Sequence, residues 1–306
     1  MPFLPDRRAV LASLGLLASA GRVSKATAQP ARSDADRPAE IIDDPRVSSF
    51  EIGPDDGNWR IFIGLPSAPA PENGYSALVA LDGNSLFPRL WHHREREAPD
   101  APVVLVGIGY PIKSRIHMER RMFDLTSPEM QPVEPAHFTG RGPGDYRTGG
   151  RSAYLRQIET AILPGLHQRV KIDPGNMTLF GHSLGGLFAL HVLFARPTLF
   201  SRYVAADPSI WWNANEALRE AEAFAGGIAA AGGRLEPARD LLISTSGRRS
   251  DGGRAAPRTD TPRLIENLSR LDGLNVTYSP HPDETHGSLV EPAALEALRL
   301  HLGRPL

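Results

Sequence analysis

Cysteine is absent from all 306 residues, which excludes disulfides, thiolate metal ligands and a cysteine nucleophile together. Lysine is nearly absent too: of 34 basic residues only Lys25, Lys113 and Lys171 are lysine. Basic and acidic residues almost cancel, at a formal net charge of −1, so no overall positive field exists to hold nucleic acid or an anionic membrane. What is present, 41% hydrophobic and 23% charged residues, suits a globular enzyme and not a disordered tail or a coiled coil. A chain of this length can bury a large core in one or two domains.

The N-terminus reads as an export address. Arg7-Arg8 precede an uncharged stretch from Ala9 to Ala20, and Ala26-Thr27-Ala28 stand before Gln29. A positive region, a short apolar region and a small-x-small site form an export signal, and the paired arginines point to the twin-arginine route. The stretch from Ala9 to Ala20 is too short to cross roughly 30 Å of hydrocarbon at about 1.5 Å per residue, so it is not read as a membrane anchor. The expectation is cleavage near Ala28, a flexible leader over 29–45, and a periplasmic or secreted mature protein that is not embedded in the membrane.

From residue 46 onward, strand and helix patterns alternate. Val47–Ile52 and Arg60–Ile63 alternate apolar and polar residues, as an antiparallel edge does. Ala77–Leu81 and Val103–Val106 are nearly continuous apolar runs, suited to strands covered on both faces. Further strands are expected at Met177–Phe180, Tyr203–Ala206, Leu241–Ser244 and Val276–Ser279. Helices are expected at Ser85–Arg96, Arg151–Val170 with a break near Pro164, Leu184–Ala195, Asn215–Ala231, Pro262–Leu271 and Pro292–Leu302. Leu184–Ala195 is apolar all round, hence buried. Gly140–Gly150 holds five glycines without the Gly-Lys-Ser/Thr ending of a phosphate loop, and reads as a mobile loop. Alternating strands and helices imply one α/β domain over 46–306, with a largely parallel sheet covered by helices on both faces.

Gly181-His182-Ser183-Leu184-Gly185 fits the G-x-S-x-G nucleophile elbow and falls between an apolar strand and a buried helix, the setting that motif requires. Such a turn lifts the Ser183 hydroxyl to the positive end of the helix, where the Leu184 N–H can stabilise an oxyanion. A serine hydroxyl needs a base. In hydrolases with this elbow the chain order is serine, acid, histidine, with the histidine after the last strand. His281 and His286 occupy that place. His286, just before the final helix, is the expected base, and His281, between Pro280 and Pro282, the residue that shapes the turn. A metal site from these two histidines lacks an evident carboxylate set.

The segment Thr178–Trp212, with GHSLGGLFALHVLF, Pro197, Phe200 and DPSIWW, resembles the esterase-D-type branch of the α/β-hydrolases. It is most similar to the siderophore (enterochelin-type) esterases of bacteria. Leu81-Asp82-Gly83-Asn84 with Phe87, Val106-Gly107-Ile108-Gly109-Tyr110 and Arg121-Met122-Phe123-Asp124 extend the likeness over most of 45–305. The resemblance implies a three-layer α/β-hydrolase fold and cleavage of ester or lactone bonds through an acyl-serine, with no metal or organic cofactor. Its substrate would be a small-molecule ester such as a ferric siderophore. By the same analogy the second oxyanion donor is the Asn84 N–H, and Tyr110, Trp211 and Trp212 line the substrate pocket.

The acid is where the pattern and this chain part. The family places a carboxylate three residues after a glycine corresponding to Gly247, which here is Ser250, and Asp251 is the nearest carboxylate. Asp251 is therefore the expected acid, ahead of a Ser–His pair without an acid and, after that, of Asp207 behind the preceding strand. The same machinery would serve a carbohydrate-side-chain (acetyl or feruloyl) esterase or an acyltransferase. From a different class, the alternative is a non-catalytic periplasmic ligand-binding protein on the same fold, against which the intact Ser183 and His286 argue.

Overall fold

The computed structural model describes residues 37–54, 57–128, 145–251, 253–255 and 259–306. The export signal, residues 29–36 of the expected leader and residues 140–144 of the glycine-rich loop lie outside the described residues.

The sheet has eight strands in the order β1-β2-β4-β3-β5-β6-β7-β8. Strands β1 (Val47–Ile52) and β2 (Trp59–Gly64) form an antiparallel edge, and β2 lies antiparallel to β4 (Val103–Gly109). From there β3 (Tyr75–Ala80), β5 (Ile172–His182), β6 (Arg202–Ala206), β7 (Arg234–Arg248) and β8 (Asp272–Thr285) continue in parallel.

Alternation along each strand splits the core into two layers. On β3, Ala77 and Val79 face one apolar cluster and Leu78 and Ala80 the other, as a pleat demands. Helices α1 (Gly83–Glu97) and α8 (Val290–His301) cover one face through Leu86, Leu90, Trp91, Ala294 and Leu298. The other face is covered by α2 (Met118–Leu125), α3 (Arg151–Gln157), α4 (Leu163–His167), α5 (Leu184–Ala195), α6 (Trp212–Ala230) and α7 (Asp260–Leu268). This is the three-layer α/β-hydrolase arrangement. Among the described residues no helix is long and apolar enough to cross a membrane.

Two details differ from the expectation. Residues 151–167 do not break at Pro164. A π-helical turn over Ile158–Ile162 precedes it, and Pro164 falls at the start of α4. There its missing N–H is absorbed by the wider turn. Strands β7 and β8 also run far past Ser244 and Ser279, pairing as a ribbon out to Arg248 and Thr285 with an irregularity after Ser246.

Candidate active site

The turn that follows β5 carries Ser183 at φ 61°, ψ −120°, a strained conformation for a residue with a side chain. The strain is held from both sides. The Ser183 N–H donates to the Ala206 carbonyl at 2.9 Å, and the Ser209 N–H donates to the Ser183 carbonyl at 3.2 Å. The tightness of the turn is uneven. A Cβ on Gly181 would sit 2.1 Å from the Gly185 oxygen, and one on Gly186 3.0 Å from the Ala206 oxygen. At Gly185 the nearest atom would be Asp82 Oδ2 at 3.5 Å, an ordinary contact. Gly181 is thus required by backbone contact, whereas the second glycine of the motif is not.

Beside this turn lies the one after β3. Ala80 and Phe180 are register partners, and the Leu81 N–H donates to the Phe180 carbonyl at 2.9 Å, so α1 and α5 begin at adjacent strand ends. Asp82, at φ 49°, precedes α1, and its carboxylate is gripped by Arg121 of α2 through bonds of 3.1 and 2.9 Å, both side chains being buried. The Asn84 side chain accepts from the Tyr110 N–H at 2.8 Å and donates to the Tyr110 carbonyl at 3.0 Å. Gly109 leaves room for it, since a Cβ there would lie 2.2 Å from Asn84 Oδ1. Two helix N-termini, whose first amides have no acceptor inside the helix, therefore flank Ser183.

Because β5, β6, β7 and β8 are neighbours in that order, the residues after them line one edge of the sheet. Asp207 follows β6 with φ 42° and is 1% exposed. Its Oδ2 is 2.6 Å from His286 Nδ1 and 2.6 Å from Ser246 Oγ, and its Oδ1 accepts from the Ser246 N–H at 3.3 Å. His286 follows β8, and its carbonyl accepts from His182 Nε2 at 2.8 Å. Ser209 Oγ lies 3.4 Å from Ser183 Oγ. The elements thus bring Ser183, Asp207 and His286 to one end of the sheet.

The carboxylate that meets His286 in the structure is Asp207, and not Asp251, the acid expected from the sequence. The β7–β8 ribbon carries residues 249–251 into an exposed stretch, where the Arg249 N–H donates to the Gly253 carbonyl at 2.7 Å. Asp251 is spent there on Arg249 at 2.8 Å and on the Gly253 N–H at 2.9 Å. His281 is also taken up elsewhere, 3.0 Å from the buried Glu296 of α8, which accepts from Ser244 and Ser279 as well.

Of the three aromatic residues expected in the pocket, two are buried in the core. Trp212 is fully buried and donates from Nε1 to Ser127 Oγ at 3.1 Å, and Tyr110 is buried in the same core. Burial, with the Asp124 carboxylate nearby, pushes the Tyr110 phenol well up from its ordinary pKa. Trp211 is half-buried and edge-on to Trp212. A cavity of about 730 Å³ lies beyond Asn84, between Phe62, Phe87, Ile112, Lys113 and residues 38–42.

The residues that sequence reasoning passed over are Ser246, Ser209, the Asp82–Arg121 pair and His182. Asp82 and Arg121 stood inside motifs already singled out, but a pair 39 positions apart leaves no periodic signal.

The family model described as "Putative esterase" matches residues 56–232. The chain is 31% identical over 252 residues to the ferri-bacillibactin esterase BesA of Bacillus subtilis, spanning 80% of this chain and 84% of that protein. It is 32% identical over 278 residues to a siderophore enterobactin esterase of Emericella nidulans, spanning 81% and 90%. The crystal structure of the BES protein of Bacillus cereus superposes with a TM-score of 0.70 at 26% identity, over 86% of this chain and 98% of that one.

Proposed function

The chain belongs to the Putative esterase family and is a serine hydrolase of carboxylic esters, and from that premise we propose that it hydrolyses the ester or lactone bonds of a siderophore at Ser183. The substrate class rests on the likeness, over four-fifths of the chain, to two siderophore esterases. The mechanism rests on one observation: a strained Ser183 at the strand end next to Asp207, whose carboxylate holds His286 Nδ1 at 2.6 Å.

In the proposed reaction Ser183 Oγ attacks the ester carbonyl and His286 Nε2 takes its proton. Asp207 keeps the other imidazole proton on Nδ1 and balances the charge that develops. The N–H groups of Leu184 and Asn84 receive the oxyanion, since each lies in the first turn of a helix beside Ser183. His286 returns the proton to the leaving alcohol, and water releases the acyl group by the reverse sequence.

Mass spectrometry of products from a ferric triscatecholate trilactone and from its iron-free form tests the substrate. The expected result is stepwise conversion to linear and monomeric hydroxy acids by wild type and none by Ser183→Ala. Turnover of small aryl or acetyl-sugar esters with both siderophores left intact would point to the carbohydrate-esterase reading instead.

Export through the twin-arginine signal is part of the proposal. The periplasmic protein should begin near Gln29 by N-terminal sequencing, and Arg7→Lys with Arg8→Lys should hold it in the cytoplasm. Unchanged localisation of that double variant would refute the route.

A further inference from the structure

His286 sits on an exposed stretch: residues 286–288 are exposed and its own side chain is 48% exposed. A segment with so little apolar burial opens at small cost, so its few specific bonds decide how long the imidazole spends in register. Within the stretch, the Thr285 N–H donates to Ser288 Oγ at 2.9 Å and the Leu289 N–H to the Thr285 carbonyl at 2.9 Å. Those bonds shape the turn but tie it to nothing outside itself.

Among the described residues, His286 itself is held from outside the stretch by two hydrogen bonds. Asp207 holds the ring at Nδ1, and His182 holds the backbone at the carbonyl. The His182 and His286 rings also lie against one another, with centroids 4.5 Å apart and planes 39° from parallel. A carbonyl can only accept, so the bond fixes the His182 proton on Nε2. Burial, and then the neighbouring His286, lower the His182 pKa to about 3, so this imidazole stays neutral with its single N–H committed to His286.

We infer that His182 is a positioning residue for the reaction: its Nε2–H to the His286 carbonyl sets the distance between base and nucleophile. His182 is joined covalently to Ser183, so this bond ties the base to the nucleophile's own neighbour across 104 positions of chain. With the ring pinned at Nδ1 and the backbone at the carbonyl, the free atom Nε2 has little latitude. Asp207 alone leaves the imidazole able to swing about its Nδ1 bond. The inference rests on the Ser183–His286 reading and adds a residue that this reading does not require.

The test compares His182→Phe, which keeps a ring and loses the donor, with His182→Gln, whose amide N–H can reach the carbonyl. Steady-state kinetics on an aryl ester, the rate of Ser183 phosphonylation and thermal midpoints are measured on the full chain. His182→Phe should lower kcat at least about tenfold, with KM within about twofold and phosphonylation slowed in parallel. His182→Gln should recover at least about a third of the wild-type kcat, and the acid limb of the pH profile should stay put because Asp207 still holds the ring. Should the phenyl ring prevent folding, His182→Leu serves in its place. A His182→Phe kcat within twofold of wild type would overturn the inference. So would a His182→Gln variant as impaired as His182→Phe at the same thermal midpoint. Failure of the underlying site would show separately, as hydrolysis surviving in Ser183→Ala with His182 untouched.

Discussion

Replacing Asp207 by asparagine should do more than remove a charge, because the surroundings dictate which way the new amide points. The Ser246 N–H donates to Oδ1, and only an oxygen can accept it, so the amide oxygen of Asp207→Asn takes that side. The NH2 group is then left at the Oδ2 position, 2.6 Å from His286 Nδ1, with the Ser246 hydroxyl free to turn and accept from it. An NH2 facing Nδ1 favours the imidazole tautomer with its proton on Nε2, which cannot take a proton from Ser183. The expected loss is about 10³–10⁴ in kcat, or about 4–5.5 kcal/mol of barrier, the size seen where a triad carboxylate is exchanged for its amide. Asp251→Asn, which disturbs an exposed ion pair with Arg249, should stay within about twofold. The assay is kcat and kcat/KM on an aryl acetate for both variants, with circular dichroism to confirm the fold. Asp207→Asn retaining more than a tenth of wild-type kcat, or Asp251→Asn losing as much as Asp207→Asn, would refute the assignment.

Gly181→Ala should abolish folding or activity, since its Cβ meets the Gly185 oxygen at 2.1 Å, whereas Gly185→Ala should be neutral or up to about 1 kcal/mol stabilising in its helix; soluble yield and thermal midpoints separate them, and equal behaviour would contradict the uneven turn. Arg121→Ala leaves the Asp82 carboxylate buried without its partner and should cost about 3–5 kcal/mol of unfolding free energy by urea titration, a loss under about 1 kcal/mol being inconsistent with the pair. His301, buried between Thr178 and Ser76, has its pKa lowered by burial from 6.5 to about 3, so as pH falls the unfolded chain takes up a proton before the folded one. Stability is therefore complete above about pH 6.5 and declines toward pH 3, by about 1.4 kcal/mol per unit at most for this group. His301→Gln should flatten that slope in urea midpoints between pH 7 and 4; an unchanged slope would rule the group out.

Much of the fold was legible because its signals are local. Leu184–Ala195 is bounded by Ser183 and Arg196 as its uniform apolarity implies, and Val47–Ile52 pairs as its alternation implies. The short α2 carries Met118, Met122 and Leu125 at helical spacing, but eight residues are too short a window for that pattern to stand out. The π-helical turn before Pro164 is invisible to a count in steps of 3.6. That Ser183 follows β5 and His286 follows β8 was readable from the order of motifs along the chain. Which carboxylate meets His286 was not, since the choice between Asp207 and Asp251 depends on how far β7 overshoots β6, which pairing and not spacing determines. The tryptophans show the same limit: Trp211 and Trp212 are adjacent in sequence, yet one is half-buried and the other is sealed in the core.

In the proposed reaction Ser183 receives the acyl group, and intact-mass analysis of enzyme quenched during turnover of a slowly deacylated aryl ester observes that transfer directly. The predicted result is a single adduct of acyl mass, mapped to the peptide containing Ser183 and absent from Ser183→Ala, whose kcat is at least about 10³ lower. Hydrolysis by Ser183→Ala above a tenth of the wild-type rate, or an adduct on another residue, would contradict it.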